Sequence, residues 1–282
     1  MRVLIVGANG QLGRELVEAA SKHAKIMSFY AADSKLLDVG DREAVDVAVG
    51  DFSPDVIFNA AAMTKVDLCE DHLQLAFRVN ALGVRNLVQA ASKFGAKVVH
   101  FSSDYVFDGT SATPYLEWDH PNPISVYGRS KLAGEKELRA TDLCIRTSWV
   151  VGRYGDNLVK TVLKLASKGE DLRFVIDQVG SLTVAKDLAE KAFEMVLSGL
   201  GGLYHVTGQG TGSWFEVASK VLEISGMKDV SVHPIVSDDL PNDRKARRPK
   251  YSVLENFALE NSGLSLLPLW HDSLRELVKE IC

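Results

Sequence analysis

The chain has 282 residues, 46% hydrophobic and 24% charged, with a formal net charge of −5. That is globular composition with enough apolar residues for a sizeable core, and its mild acidity excludes a global field for nucleic acid or an anionic membrane. No run of about 18 apolar residues occurs, so no membrane span is expected. Met1 leads straight into RVLIVG without secretory-leader character. Three widely spaced cysteines, Cys69, Cys144 and Cys282, suit a reducing cytoplasm better than a disulfide framework or a zinc site.

The first element is RVLIVG (2–7), a short β-branched run that reads as a strand. A helical segment at 11–23 follows, then a second strand within KIMSFYAAD (25–33). Further strand-like runs are DVIFNA (55–60), AKVVHFS (96–102) and LCIRTS (143–148), separated by helical stretches at 73–94 and 127–140. Strands alternating with helices imply βαβ units, and near-continuous apolar strands imply a parallel sheet covered on both faces. Beyond residue 150 come a helix near 156–168, a strand at 172–176, a helix at 185–198 and a strand at 202–207. A helix at 213–225, a strand at 231–236 and a last amphipathic helix complete the chain. The expected fold is a doubly wound parallel sheet with a smaller C-terminal α/β subdomain. Residues 1–150 would form the dinucleotide-binding part, to which later segments return, and 151–282 mainly the substrate side.

Between the first strand and helix, GANGQLG spaces Gly7, Gly10 and Gly13 as G-x-x-G-x-x-G. Glycine lets the backbone turn sharply and approach a ligand, and the helix behind it offers free N–H groups to a diphosphate. Gly7, Gly10, Gln11, Leu12 and Gly13 are therefore candidate cofactor contacts. Asp33, twenty residues after Gly13, can bond both hydroxyls of an adenosine ribose and would repel a 2′-phosphate, which favours NADH. Arg14, Ser34 and Lys35 lie close enough to receive that phosphate instead. Asp38 is a further candidate, toward the adenine.

YGRSK (127–131) puts Tyr127 and Lys131 one helical turn apart on the same face. A free phenol titrates near about 10, and a fixed ammonium nearby favours phenolate, so Tyr127 could supply the proton a reduced ketone needs. A hydroxyl to steady the carbonyl oxygen would come from Ser102 or Ser103, where the fourth strand ends and where parallel sheets bind ligands.

With these residues the chain resembles the extended short-chain dehydrogenase/reductases, and more narrowly the dTDP-4-dehydrorhamnose reductases. The matching segments are GANGQLG (7–13), DVIFNAAAMTKVD (55–67), SSDYVFDG (102–109), PISVYGRSKLAGE (123–135), RTSWVVG (146–152), DQVGSLT (177–183) and ARRPKYSVL (246–254). The resemblance implies a catalytic set of Ser103, Tyr127 and Lys131. It runs Asn59, Ala60, Ala61 and Ala62 along an NADPH or NADH cofactor, sets Asp104 and Tyr105 beside a sugar, and stacks Trp149 on the hexose ring. In the cluster DRKARRPK (243–250), Arg248 is the candidate contact to a nucleotide-sugar diphosphate, since Arg forks match phosphate oxygens. Some family members bind magnesium through acids at a dimer contact. Here Glu15 is present but Lys186 stands where a second acid is expected, so no metal is implied and the chain would be a monomer or homodimer.

The implied activity is NAD(P)H-dependent reduction of the C4 ketone of a dTDP-6-deoxy-4-hexulose by a cytoplasmic enzyme. Two other readings share the architecture. One is a non-catalytic cofactor-binding subunit resembling the regulatory subunit of methionine adenosyltransferase; the other is a nucleotide-sugar epimerase or dehydratase.

Overall fold

The computed structural model describes residues 1–227, 229–240 and 244–282. Asp243, the first residue of the basic cluster, lies outside the described residues. Six strands make the main sheet: β1 (Arg2–Val6), β2 (Ser28–Ala32), β3 (Val56–Asn59), β4 (Lys97–Ser103), β5 (Leu143–Thr147) and β10 (Gly202–His205). All pair in parallel, in the order β10-β5-β4-β3-β1-β2. This is the expected doubly wound sheet, and its order reverses direction between β1 and β3. Ligand crevices open at such a switch point, beyond the strands' C-terminal ends.

Helices α1 (Gln11–Lys22) and α8 (Ala185–Leu197) cover one face of the sheet. Leu16, Ala19 and Ala20 recur at helical spacing on α1 and share a core with Leu188, Ala192 and Phe193 of α8. Helices α2 (Arg42–Phe52) and α5 (Gly83–Phe94) cover the other face through Val45, Val49, Val84 and Leu87. No strong apolar period announces α2, but Asp41 caps it by accepting from Ala44 N.

The expected helix at 73–94 is three pieces: α4 (Leu73–Phe77), a π-helical turn (Arg78–Leu82) and α5. The short helix α3 (Val66–Asp71) precedes them, and α6 (Val126–Glu135) follows β4. Asn80, inside the π turn, bonds Met63 N at 2.8 Å and Met63 O at 3.1 Å, and donates to Ser130 Oγ of α6 at 2.9 Å. The extra residue of the π turn thus aims a buried amide at the helix carrying Tyr127 and Lys131.

Residues beyond 150 divide between two places. Helix α8 and strand β10 belong to the main sheet's layers. A smaller core gathers α7 (Leu158–Ser167), α9 (Trp214–Ser225) and α11 (Trp270–Ile281) around short strands. These are β6 (Val150–Val151) with β9 (Thr183–Val184), β7 (Leu172–Val175) with β12 (Val232–Ile235), and β8 (Val179–Gly180) with β11 (Gly212–Ser213). The short helix α10 (Phe257–Glu260) packs on β10.

Candidate active site

A groove runs over the C-terminal ends of β1, β2 and β3. Gly7, Gly10, Asp33, Asp38, Ala60, Ala61 and Ala62 line it together with Asn9, Ser34 and Met63. Gly7 sits at φ +77°, and a Cβ there would lie 2.6 Å from Ala61 N, so only glycine lets the two loops meet at the switch point. The cradle fits a dinucleotide: a bare backbone turn, a helix N-terminus behind it and an acid at the end of β2.

Not every expected cofactor contact faces the groove. Gln11 donates to Val150 O at 2.9 Å and accepts from Asn157 Nδ2 at 2.8 Å, tying α1 to the smaller lobe. Leu12 packs into the core beside α8, and Gly13 presses on Gly7 from behind. Asn59 is buried under the groove, where its Oδ1 accepts from Ala61 N at 3.2 Å. Asp33 Oδ1 accepts from Lys35 N and Leu36 N, and Oδ2 from Asn9; these bonds hold its carboxyl below the usual range. Asp38 pairs with Arg78 at 2.5 Å. Arg14 lies over the Tyr154 ring on the outer side of Asp33, where the two line a second hollow.

At the end of β4 the strand's alternation separates the two candidate serines. Ser102 Oγ turns away and donates to Glu135, itself paired with Arg146 of β5 at 2.7 Å. Ser103 Oγ faces the Tyr127 phenol, accepts from Tyr105 N at 3.2 Å and donates to Asp104 Oδ1 at 2.9 Å. Ser125 caps α6 by accepting from Gly128 N at 3.1 Å, which fixes the turn that presents Tyr127. Burial pushes the Tyr127 phenol above its ordinary value, and the Ser103 hydroxyl opposes that rise.

Lys131 is 2% exposed. Its Nζ donates to Phe101 O at 2.6 Å and meets His100 Nε2 at 3.3 Å; among the described residues no hydrogen bond joins it to Tyr127 Oη. Burial pushes its pKa down to about 8.

Around this centre the expected sugar contacts are already engaged. Asp104 is buried between Ser103 and Ser252, with burial raising its carboxyl to about 6. Tyr105 meets Tyr127 edge to face at 5.5 Å. Arg248 is close to Tyr105 and pairs with Asp67 of α3 at 2.6 Å, while neighbouring Lys245 pairs with Asp71. Trp149 stacks on Trp214 at 3.6 Å and 10°, with Gly180 bare beneath its indole edge. Trp149 has φ +49°, a left-handed backbone that a non-glycine residue adopts at a cost, often at functional sites.

Sequence reasoning missed His100, Asp67, Asn80 and Trp214. The signal for His100 was present: a polar ring inside VVHFSS must find buried partners. The expected place for a metal acid is filled by ion pairs, Glu15 with Arg153 at 2.9 Å and Lys186 with Glu280 at 2.7 Å. Among the described residues no His, Cys, Asp or Glu cluster has metal-binding geometry.

The switch-point groove, built on a parallel sheet with a glycine turn, is that of a dinucleotide-dependent oxidoreductase. A sequence model of the RmlD substrate binding domain family matches residues 1–282, and the chain belongs to that family. Among its relatives is the spore coat polysaccharide biosynthesis protein SpsK of Bacillus subtilis, 39% identical, covering 99% of this chain and 97% of that protein. A dTDP-4-dehydrorhamnose reductase of Sinorhizobium fredii is 38% identical, with the same two coverages of 99% and 97%. The crystal structure of dTDP-4-dehydrorhamnose reductase from Bacillus anthracis in complex with NADP superposes with a TM-score of 0.94, at 40% identity and 99% coverage of both chains.

Proposed function

We propose that this protein reduces the C4 ketone of a dTDP-6-deoxy-4-hexulose, most directly dTDP-4-dehydro-L-rhamnose to dTDP-L-rhamnose. NADPH or NADH, held over the glycine turn by Gly7, Gly10 and Ala60 to Ala62, would supply the hydride. Ser103 steadies the carbonyl oxygen and Tyr127 delivers its proton. Lys131 anchors the site from behind, against β4. Asp104 keeps the Ser103 hydroxyl oriented. Tyr105 and Trp149 border the hexose, and Arg248, carried between Asp67 and Tyr105, faces the substrate's diphosphate. Asp33 favours a free ribose 2′-hydroxyl, with Arg14 on its outer side for a 2′-phosphate. We further read the chain as a cytoplasmic enzyme acting as a monomer or homodimer.

The observation that carries this reading is the Ser103 hydroxyl, at the end of β4, lying against the Tyr127 phenol at the start of α6, in a sheet whose β1, β2 and β3 ends carry the glycine-turn groove. Tyr127→Phe should lower kcat by about 10²–10⁴-fold while coenzyme affinity stays within about twofold. Coenzyme consumption with dTDP-4-dehydrorhamnose, without any partner protein, and NMR of the product test the assignment. Near-normal turnover of the Phe variant, or no turnover by the parent, would overturn it.

A further inference from the structure

β4 holds a histidine where a strand covered on both faces would ordinarily hold an aliphatic side chain. His100 is 0% exposed, and its ring nitrogens meet Asn59 Nδ2 at 3.1 Å and Lys131 Nζ at 3.3 Å. The direction of this chain of bonds can be followed from one fixed end. The Ala61 amide can only donate, and its acceptor is Asn59 Oδ1. That turns the Asn59 NH₂ toward His100, where it donates to Nδ1. A neutral imidazole whose Nδ1 accepts carries its proton on Nε2. Burial is the leading cause that holds His100 neutral, well below its ordinary pKa.

The Nε2–H therefore points at Lys131 Nζ. Facing an ammonium, that arrangement sets donor against donor. Facing an amine, it is a hydrogen bond to the nitrogen lone pair, and the amine still donates to Phe101 O. An ammonium would be served only by the opposite order: proton on His100 Nδ1, the Asn59 amide turned over, and Ala61 N–H without its acceptor. Each proton state of Lys131 is thus matched to one orientation of Asn59.

The remaining groups around Lys131 do not reverse this preference. Cys144 of β5 is a buried thiol held neutral by its surroundings. Glu135, one turn further along α6, is neutralised by Arg146 of β5. Tyr127, one turn back on α6, is kept as a phenol by burial.

We propose that Asn59 and His100 are positioning residues that stabilise Lys131 as a neutral amine, so that it cycles between ammonium and amine instead of remaining a permanent cation. The proposal rests on the Ser–Tyr–Lys reading of the site, but its test does not use substrate. In protein labelled with ¹⁵N-histidine and ¹³C-lysine, with and without NADPH, NMR should show His100 neutral with its proton on Nε2. Lys131 should titrate at least about tenfold in proton concentration below an ordinary lysine. His100 with its proton on Nδ1, or Lys131 titrating as an ordinary lysine, would overturn the proposal. Asn59→Asp supplies a second arm, because a carboxylate can only accept and so forces the proton onto Nδ1. In that variant the tautomer should switch and the Lys131 midpoint should rise by about one pH unit or more. An unswitched tautomer in the folded variant also overturns the relay. If the variant does not fold, the measurement on the parent protein decides. A correct tautomer in a protein without reductase activity would sink the functional reading and leave the relay standing.

Discussion

At the scale of single residues, Asp104 makes a prediction with a definite sign. Its carboxyl is raised to about 6 because burial penalises the charge more than the Ser103 and Ser252 hydroxyls repay. A raised acid binds its proton more tightly folded than unfolded, so its penalty is absent below the unfolded pKa and complete above about 6. Two units correspond to roughly 3 kcal/mol. Asp104→Asn should therefore raise Tm by several degrees at pH 8, with the gain vanishing near pH 4, as read by calorimetry across pH. A gain independent of pH would refute the buried-charge argument. Ser103, Tyr127 and Lys131 stand out in the sequence as candidates because hydride chemistry needs those residue types and helical spacing brings two of them together. What Lys131 touches was not legible. Its partners come from the side of β4 and the end of β3, and a spacing rule along α6 carries no information about a neighbouring strand. Asp67 is hidden for the same reason, since its pairing with Arg248 spans most of the chain.

At the scale of elements, the π turn at 78–82 decides where α6 sits. A Cβ on Gly134 would lie 2.2 Å from Asn80 O, so α6 packs directly on the π turn's backbone. Gly134→Ala should push α6 outward and lower kcat by about tenfold or more, since small misplacements of catalytic groups are costly. Cofactor binding at the glycine turn should hardly change, and the split between kcat and coenzyme Kd is the measurement. If both fall together, α6 is not what moved. The sequence shows a helix across 73–94 because its apolar spacing is continuous, and one added residue in a helix barely disturbs that pattern. Helix α2 was passed over because its valines are poor helix formers. Burial against α5 compensates for that propensity, and only the Asp41 cap announces the helix in advance.

At the scale of the whole molecule, the layers of the main sheet draw on residues from both sides of position 150. The alternating pattern predicted a doubly wound sheet, and the sheet is there, but its last strand is β10. Register with β5 runs from Gly202↔Leu143 to His205↔Arg146. The apolar stripe of α1 is likewise covered by α8. A fragment of residues 1–150 would expose one edge of β5 and the Leu16–Ala20 face of α1. Expressed alone, it should be largely insoluble and fail to bind NADPH, whereas a soluble, coenzyme-binding fragment would contradict the interleaved core.

The same late strand governs how the chain can mature on the ribosome. Translation delivers ~5–20 residues per second, so the outer rim of β5 waits some seconds before its neighbour has been made. Throughout that interval the border of β5 has no partner strand, and this edge of the sheet can close only once residues 202–205 have been made.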